Sequence, residues 1–517
     1  MKGKIALGLA FATLLFGTLF FALPIEAQNE VTIGIIGPQG LPHWSPAGMK
    51  DAAEMARDEI NAAGGIDIGG TPHDIVLAFG NEYAVPTPSP TDAYLEAERL
   101  ITVEGCEILI GGFRTEVTQS IIEAAADYAT PLLINGAATN ELIGDTVGAD
   151  YARYKYLYRL NPVNGTSLLY TIAGGIGGYL LNPTAPIPGA GYMIPMFADP
   201  TLIGPYGPGQ VAVAVITEDL DWTLSIHGAL TTPSVYPLLL GPFANVTYSG
   251  RIPDGTTDCT PWLTDVISSN ARILIHVFSG TTGVPFVAQW RALSVNATLC
   301  GINVMAQLQT HWATTGGACE YEAMLNFAGT RTPIVPTITR AFWDSFVART
   351  GVWPIYTAWG AYDAIYALKE AMEDIDSKDK DALLAYFESP SYQRQGLSGI
   401  FKYTSLHDVF TNEPGPVWFQ GYVRALIAQW TDERMEIVCP KLQTYSKTWA
   451  LPPWMYPLIQ DTNYDQFVGV DDIVFAAEHF GDDPTRDRWE HVCDTTKDDY
   501  IGIDDIVDIA SHFGATP

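Results

Sequence analysis

The acids crowded near the C-terminus are the residues with the plainest chemistry. Residues 461–517 hold fifteen Asp and Glu against three basic residues. They fall in a repeat: DTNYDQFVGVDDIVFAAEHFG (461–481) returns as DTTKDDYIGIDDIVDIASHFG (494–514), 33 residues on. Asp461, Asn463, Asp465 and Asp472 take positions 1, 3, 5 and 12 of a loop; Asp494, Thr496, Asp498 and Asp505 take them in the second copy. Calcium needs six to eight hard oxygen ligands, and this spacing wraps them round one ion, with the carbonyls of Phe467 and Tyr500 at position 7. Two calcium ions are therefore expected. Each loop runs into a helix, and no helix precedes either one. Position 12 is Asp where a bidentate Glu is usual, and position 6 is Gln466 or Asp499 where Gly is usual. Thr496 is a neutral ligand, so the second site is expected to be the weaker. A merely solvated acidic tail would not repeat its loops and its apolar helix faces.

A second set of residues lies in two loops, Gly112-Phe113-Arg114-Thr115-Glu116 and Asn135-Gly136-Ala137-Ala138-Thr139. Each follows an apolar strand-like run and precedes a helical one. Backbone N–H groups and a helix N-terminus there would face an anion, and the small residues let it approach. The plain alternative is helix capping by Thr115 and Thr139. Trp44 and Trp222 could close on an apolar ligand, or simply pack within their own units.

The elements that must position these groups read clearly. Strands are expected at 31–37, 74–79, 107–112 and 131–136, alternating with helices at 47–63, 91–103 and 116–127. The alternation restarts with strands at 211–217, 246–252, 272–278 and 298–304 and helices near 222–232, 260–269 and 284–293. Helices are expected again at 338–350, 355–374 and 378–388. Alternation of this kind means parallel sheets covered by helices on both faces. The stretch 182–208 is rich in Pro and Gly and reads as a surface insertion. The Pro-rich stretch 441–457 reads as a linker.

The first unit, VTIGIIGPQG, AGMKDAAEMARDEINAAGGI and ILIGGFRTEVTQSIIEAAADYATPLLINGAATNEL, closely resembles the leucine-isoleucine-valine binding proteins of ABC uptake systems. The resemblance implies a type I periplasmic-binding fold over 30–440: two Rossmann-like α/β lobes joined by a three-strand hinge. Lobe 1 would span about 30–158 and 330–396, and lobe 2 about 162–325 and 404–440, with crossings near 158–162, 325–332 and 396–404. It implies a small-molecule solute between the lobes and an ABC permease as partner. In that family, hydroxyls at the positions of Thr115 and Thr139 take the ligand carboxylate, and aromatics stand at those of Trp44 and Trp222. An acid that pairs with the ligand ammonium is replaced here by Asn303. Glu116, Glu218 or Asp219 could substitute, or the ligand is an amide or a carboxylate. The tail resembles the dockerin family over 461–514, which implies a small all-α calcium-binding module over 458–517 and a cohesin domain as partner, met through Val470, Asp471, Ile503 and Asp504.

Composition sets limits. The chain has 517 residues, 47% apolar and 16% charged, with a net charge of −31. Its length suggests two to four domains, and its acidity argues against nucleic acid or an anionic membrane as partner. Residues 1–27 combine Lys2 and Lys4 with an apolar run and read as a signal peptide or an uncleaved anchor, so export is expected. Six cysteines without a CxxC pair disfavour a zinc cluster, and Cys300 with Cys319 is the pairing that proximity suggests. No GxSxG, HExxH or Walker loop occurs, so no enzyme is expected. A receptor ectodomain and a surface scaffold remain as alternatives, because fold alone does not separate them from transport.

Overall fold

The computed structural model describes residues 29–85, 87–160, 164–173, 211–240, 244–326, 337–409, 426–439, 447, 449–455, 459–462, 467–484, 486 and 489–516. The leader 1–27, the insertion 182–208 and the ligand candidates Asn463 and Asp465 lie outside them. Among the described residues no helix is long and apolar enough to cross a membrane.

Lobe 1 is built on strands β1 (Glu30–Gly37), β2 (Ile66–Ile68), β3 (Thr71–Asn81), β4 (Ile108–Gly111), β5 (Leu132–Ile134) and β6 (Leu157–Arg159). Their order is β2-β3-β1-β4-β5-β6, parallel except for the β2–β3 hairpin. Strands covered on both faces need apolar side chains on both, and β4 and β5 are buried throughout. Helix Met49–Ala62 covers one face, burying Met49, Ala52, Ala53, Met55, Ala56 and Ile60 at helical spacing. It stops where Gly64 and Gly65 take positive φ of 110° and 81°.

Lobe 2 is built on β7 (Val211–Glu218), β8 (Ala244–Ile252), β9 (Ile273–Phe278), β10 (Thr298–Asn303) and β11 (Ala323–Asn326). The chain then returns to lobe 1. Helices Thr337–Thr350, Tyr356–Asp374 and Lys380–Phe387 and the hairpin β12 (Arg394–Gly396)–β13 (Gly399–Phe401) pack there with the first sheet. Strands β14 (Leu426–Thr431) and β15 (Arg434–Cys439) then complete the second sheet, β15-β14-β11-β10-β9-β7-β8.

Three expectations are corrected here. The third return to lobe 2 does not occur at 396–404. Phe401, Tyr403 and Val409 belong to the lobe 1 core, and buried Arg159 holds Asp408 at 2.9 Å. Residues 449–455 are not a linker. Trp449 and Leu451 sit in the lobe 2 core, and Ala450 exchanges two hydrogen bonds with the Gln429 side chain at 2.8 and 2.9 Å. Trp454 donates to the Val295 carbonyl at 3.0 Å and lies under the Arg291 guanidinium. Lastly, Cys319 is a free buried thiol, so no Cys300–Cys319 bridge forms. Burial raises its pKa, as it raises those of Cys106 and Cys259, each to about 12.

Two short helices, Val470–Glu478 and Ile503–Ser511, form the C-terminal unit. Its core is Val468, Ala476, Trp489, Cys493, Ile501 and Ile509. The two halves are stitched reciprocally: Gly481 N–H donates to Ile501 O and Gly514 N–H to Val468 O, both at 2.8 Å. Val492 packs on the lobe 2 cores as well as this one, so the unit rests against lobe 2.

Candidate functional site

Loops at the carboxyl ends of both parallel sheets face each other. Between them is a cleft of about 490 Å³, mouth included, lined by Phe113, Arg114, Gly136, Ala138 and Tyr356 from lobe 1. Lobe 2 lines it with Leu168, Trp222, Ser279, Ile302, Val304, Gln307 and Leu325. Ligands in open α/β sheets sit in this position.

The lobe 1 wall depends on close backbone approach. A Cβ on Gly111 would stand 1.7 Å from Ile36 O, and one on Gly136 2.8 Å from Gly112 O. Both positions therefore need glycine, and the two loops pack against each other. Glu82, fully buried, accepts the Phe113 N–H at 2.7 Å and fixes the first loop from behind. Burial pushes the Glu82 carboxyl up to about 8, against the opposing pull of the Phe113 and Arg114 amides. His43 lies under the same wall, its ring 4.1 Å from that of Phe113. Burial lowers its pKa to about 3, so the imidazole is neutral, and neither ring nitrogen has a partner among the described residues.

An ion pair spans the cleft: Arg114 Nη2 meets Asp254 of lobe 2 at 2.7 Å. Glu218 stands beside Asp254 and accepts from Ser279 N–H at 2.8 Å and Ser279 Oγ at 2.7 Å. Burial, together with the nearby Asp254 charge, raises the Glu218 carboxyl to about 7. Tyr356 N–H reaches across to Gln307 Oε1 at 3.3 Å, and Gly165 N–H to Ala138 O at 2.7 Å. The lobes are thus in contact round the cleft.

Of the sequence-derived ligand residues, the structure brings Gly136, Ala138 and Trp222 to the cleft. Ala137 lies behind it, its carbonyl held by Arg159. Thr115 and Thr139 do not line it; their hydroxyls bond each other at 2.5 Å. Glu116 is also off the wall, with one carboxylate oxygen buried and without a partner among the described residues. Trp44 packs in the lobe 1 core, edge-on to Phe79 at 5.8 Å. Asn303 is fully buried and points away, its Nδ2 donating to Glu322 at 2.8 Å. Side chains alternate along a strand, so Ile302 and Val304 face the cleft while Asn303 faces the opposite side. There Glu322 joins His276 at 3.2 Å and His311 at 2.8 Å. Burial opposes its charge, but the two histidines outweigh that and hold Glu322 down to about 2. Sequence reasoning missed Ser279, Gln307 and Tyr356 as lining groups. Ser279 had a signal, since it begins the loop after β9, the lobe 2 counterpart of the Gly112–Glu116 loop.

A profile of the periplasmic binding protein family matches residues 242–409. Among curated proteins none matches. Solved structures align over most of the chain. A putative branched-chain amino acid ABC transporter protein from Silicibacter pomeroyi has 18% identity and a TM-score of 0.62, over 83% of this chain and 100% of its own. The substrate-binding protein LivJ from Streptococcus pneumoniae, in complex with isoleucine, has 17% identity and a TM-score of 0.59, over 79% and 99%. A solute-binding protein from R. palustris, in complex with benzoate, has 14% identity and a TM-score of 0.56, over 79% and 96%. The chain has the type I periplasmic-binding fold. The cleft just described lies between the two lobes, and the C-terminal unit follows the lobe 2 segment 449–455.

In the C-terminal unit, carboxylate oxygens of Asp494, Asp498 and Asp505 lie within 4.8 Å of one another. Burial raises the Asp494 carboxyl above its usual range. Thr496 Oγ1 donates to Asp505 at 3.0 Å, and Gly502 N–H to Asp505 at 2.8 Å. Asp499, at position 6, takes a φ of 63°, the conformation for which Gly is usual there. A single 3₁₀ turn, His491–Cys493, leads into this loop. In the first copy Asp461 and Asp472 are buried, and Asp472 accepts from Thr462 N–H and Gly469 N–H, each at 2.8 Å. Tyr500 and Phe467 are half-exposed at position 7.

Proposed function

We propose that this chain is the exported solute-binding component of an ABC-type uptake system, and that it binds rather than transforms its ligand. The observation that carries this is the apolar cleft between facing carboxyl ends of two parallel sheets, with Arg114 and Trp222 on opposite walls. A ligand touching both walls stabilises the closed arrangement, because only that form contacts it from two sides. A permease would then read closure. The relatives in complex with isoleucine and with benzoate support a branched-chain amino acid or a related small carboxylate as the solute. Thermal melting of ligand-stripped protein against amino acids, amides and small carboxylates tests this. Ligand at about a hundred times its dissociation constant adds roughly 2.7 kcal/mol, a visible rise in the midpoint. A cooperative melt that no solute moves would favour a surface scaffold.

The C-terminal unit is read as a dockerin-like module holding two calcium ions. The converging acids of the second loop fit a hard cation: Asp494, Asp498 and Asp505 offer carboxylates, with Thr496 and the Tyr500 carbonyl as neutral donors. Asp461, Asn463, Asp465, Asp472 and the Phe467 carbonyl would serve the first. Exposed Val470 and Val474 recur as exposed Ile503 and Val507, which suits a cohesin partner met through either half. Binding of a cohesin panel with and without chelator tests the attachment role.

A further inference from the structure

We propose that the cleft selects an apolar monocarboxylate without an α-ammonium group, in preference to an amino acid. This rests on the solute-binding reading and narrows its substrate class. Two residues that line the cleft from opposite walls each carry a polar atom buried without a partner among the described residues: Arg114 Nε and Trp222 Nε1. Each belongs to a side chain more than nine-tenths buried, Arg114 at 7% and Trp222 at 8% exposure. Both are N–H donors that cannot accept. A buried donor left unmet costs about 1–3 kcal/mol, so each wall calls for an acceptor, and a carboxylate is an acceptor that suits a guanidinium or an indole N–H.

An ammonium has no comparable reception. No carboxylate lines the cleft among the described residues. The nearby acids stand off that wall: one oxygen each of Glu82 and Glu116 is buried without a partner among the described residues, but neither residue lines the cleft. Asp254 holds Arg114, Glu218 holds Ser279 and Gly280, Glu82 holds the Phe113 amide, and Glu322 is locked between two histidines on the far side of β10. Asn303, at the end of β10, faces that same far side. The remaining wall is Phe113, Leu168, Ile302, Val304, Leu325 and Tyr356, which suits a branched or aromatic carbon skeleton. Burying an ammonium against that wall without an acceptor is strongly unfavourable.

The test is calorimetric titration of the full chain, stripped of ligand by unfolding and refolding. Leucine is compared with 4-methylpentanoate, which is leucine without its ammonium, and with benzoate, benzamide and phenylalanine. The expected result is that the carboxylates bind at least about tenfold more tightly than the amino acids and the amide. Trp222→Phe, which keeps the ring and removes the N–H, should weaken carboxylate binding about tenfold. Its unliganded melt should match that of the wild type. Tighter binding of leucine than of 4-methylpentanoate would overturn the proposal and leave the solute-binding reading standing, with Glu116 as the group to examine for the ammonium. Equal binding of benzoate and benzamide would also overturn it. Binding of none of the five, with an intact melt, would remove both readings.

Discussion

Replacing Glu82 by Gln should flatten part of the pH dependence of lobe stability. Glu82 is fully buried and its carboxyl rises to about 8 in the folded chain, against an ordinary value of 4.5. Between those values the folded state keeps the proton and the unfolded state has lost it. The folded state binds more protons there, so its stability falls as pH rises and levels off above about 8. One pKa unit is worth about 1.36 kcal/mol, so the share lost between roughly pH 5.5 and 7.5 is on the order of 2–3 kcal/mol. A glutamine oxygen can still accept the Phe113 N–H, so the loop keeps its anchor. Glu82→Gln should therefore be more stable than wild type at pH 7.5 and nearly equal at pH 5. Glu218, raised to about 7 by burial, titrates in the same window and leaves a residual slope in both proteins. Urea unfolding followed by tryptophan fluorescence at a series of pH values reads this directly. Parallel stability–pH curves for the two proteins would refute the reasoning.

Other expectations follow from the same contacts. Trp449→Ala should destabilise lobe 2 by about 3–5 kcal/mol, as for a core aromatic, in denaturant melts; a loss under 1 kcal/mol would restore the linker reading. Asp254→Asn removes the partner of Arg114 across the cleft. With Asp254 27% exposed, the pair is worth on the order of 1 kcal/mol, so ligand should dissociate several-fold faster by stopped flow. Calcium should protect residues 467–516 from protease, and Asp494→Asn with Asp505→Asn should abolish protection of the second half. Because Val492 bridges to the lobe 2 core, chelation should also lower the lobe 2 midpoint slightly, and a strictly unchanged midpoint would show that the contact carries no energy.

The alternation of strands and helices was legible because parallel strands are apolar on both faces and their covering helices carry period 3.6. Runs such as β1 and β9 and the helix ended by Gly64-Gly65 leave little choice of element. Sequence spacing also placed the loops at the sheet ends correctly. It failed at the last residue of β10, where only the pleat decides that Ile302 and Val304 face the cleft while Asn303 does not. It failed for Trp449 and Trp454, since nothing local in a Pro-rich stretch signals burial against a sheet whose last strand has already ended at Cys439. The third lobe crossing was missed for a similar reason: Arg159 and Asp408 are 249 residues apart. Glu82 carried no motif, and its role as acceptor for a loop 31 residues downstream exists only in the folded chain.

The most direct test of the central account is the distance between the lobes. Spin labels at Gln119→Cys in lobe 1 and Thr264→Cys in lobe 2 occupy exposed positions, whereas the described native thiols are buried. Pulsed electron resonance would be recorded on stripped protein and again with a saturating solute from the titration. The account predicts a broad, longer distribution that collapses to a single shorter distance when solute binds. A solute that binds tightly and leaves the distribution unchanged would contradict closure over the cleft as the basis of function.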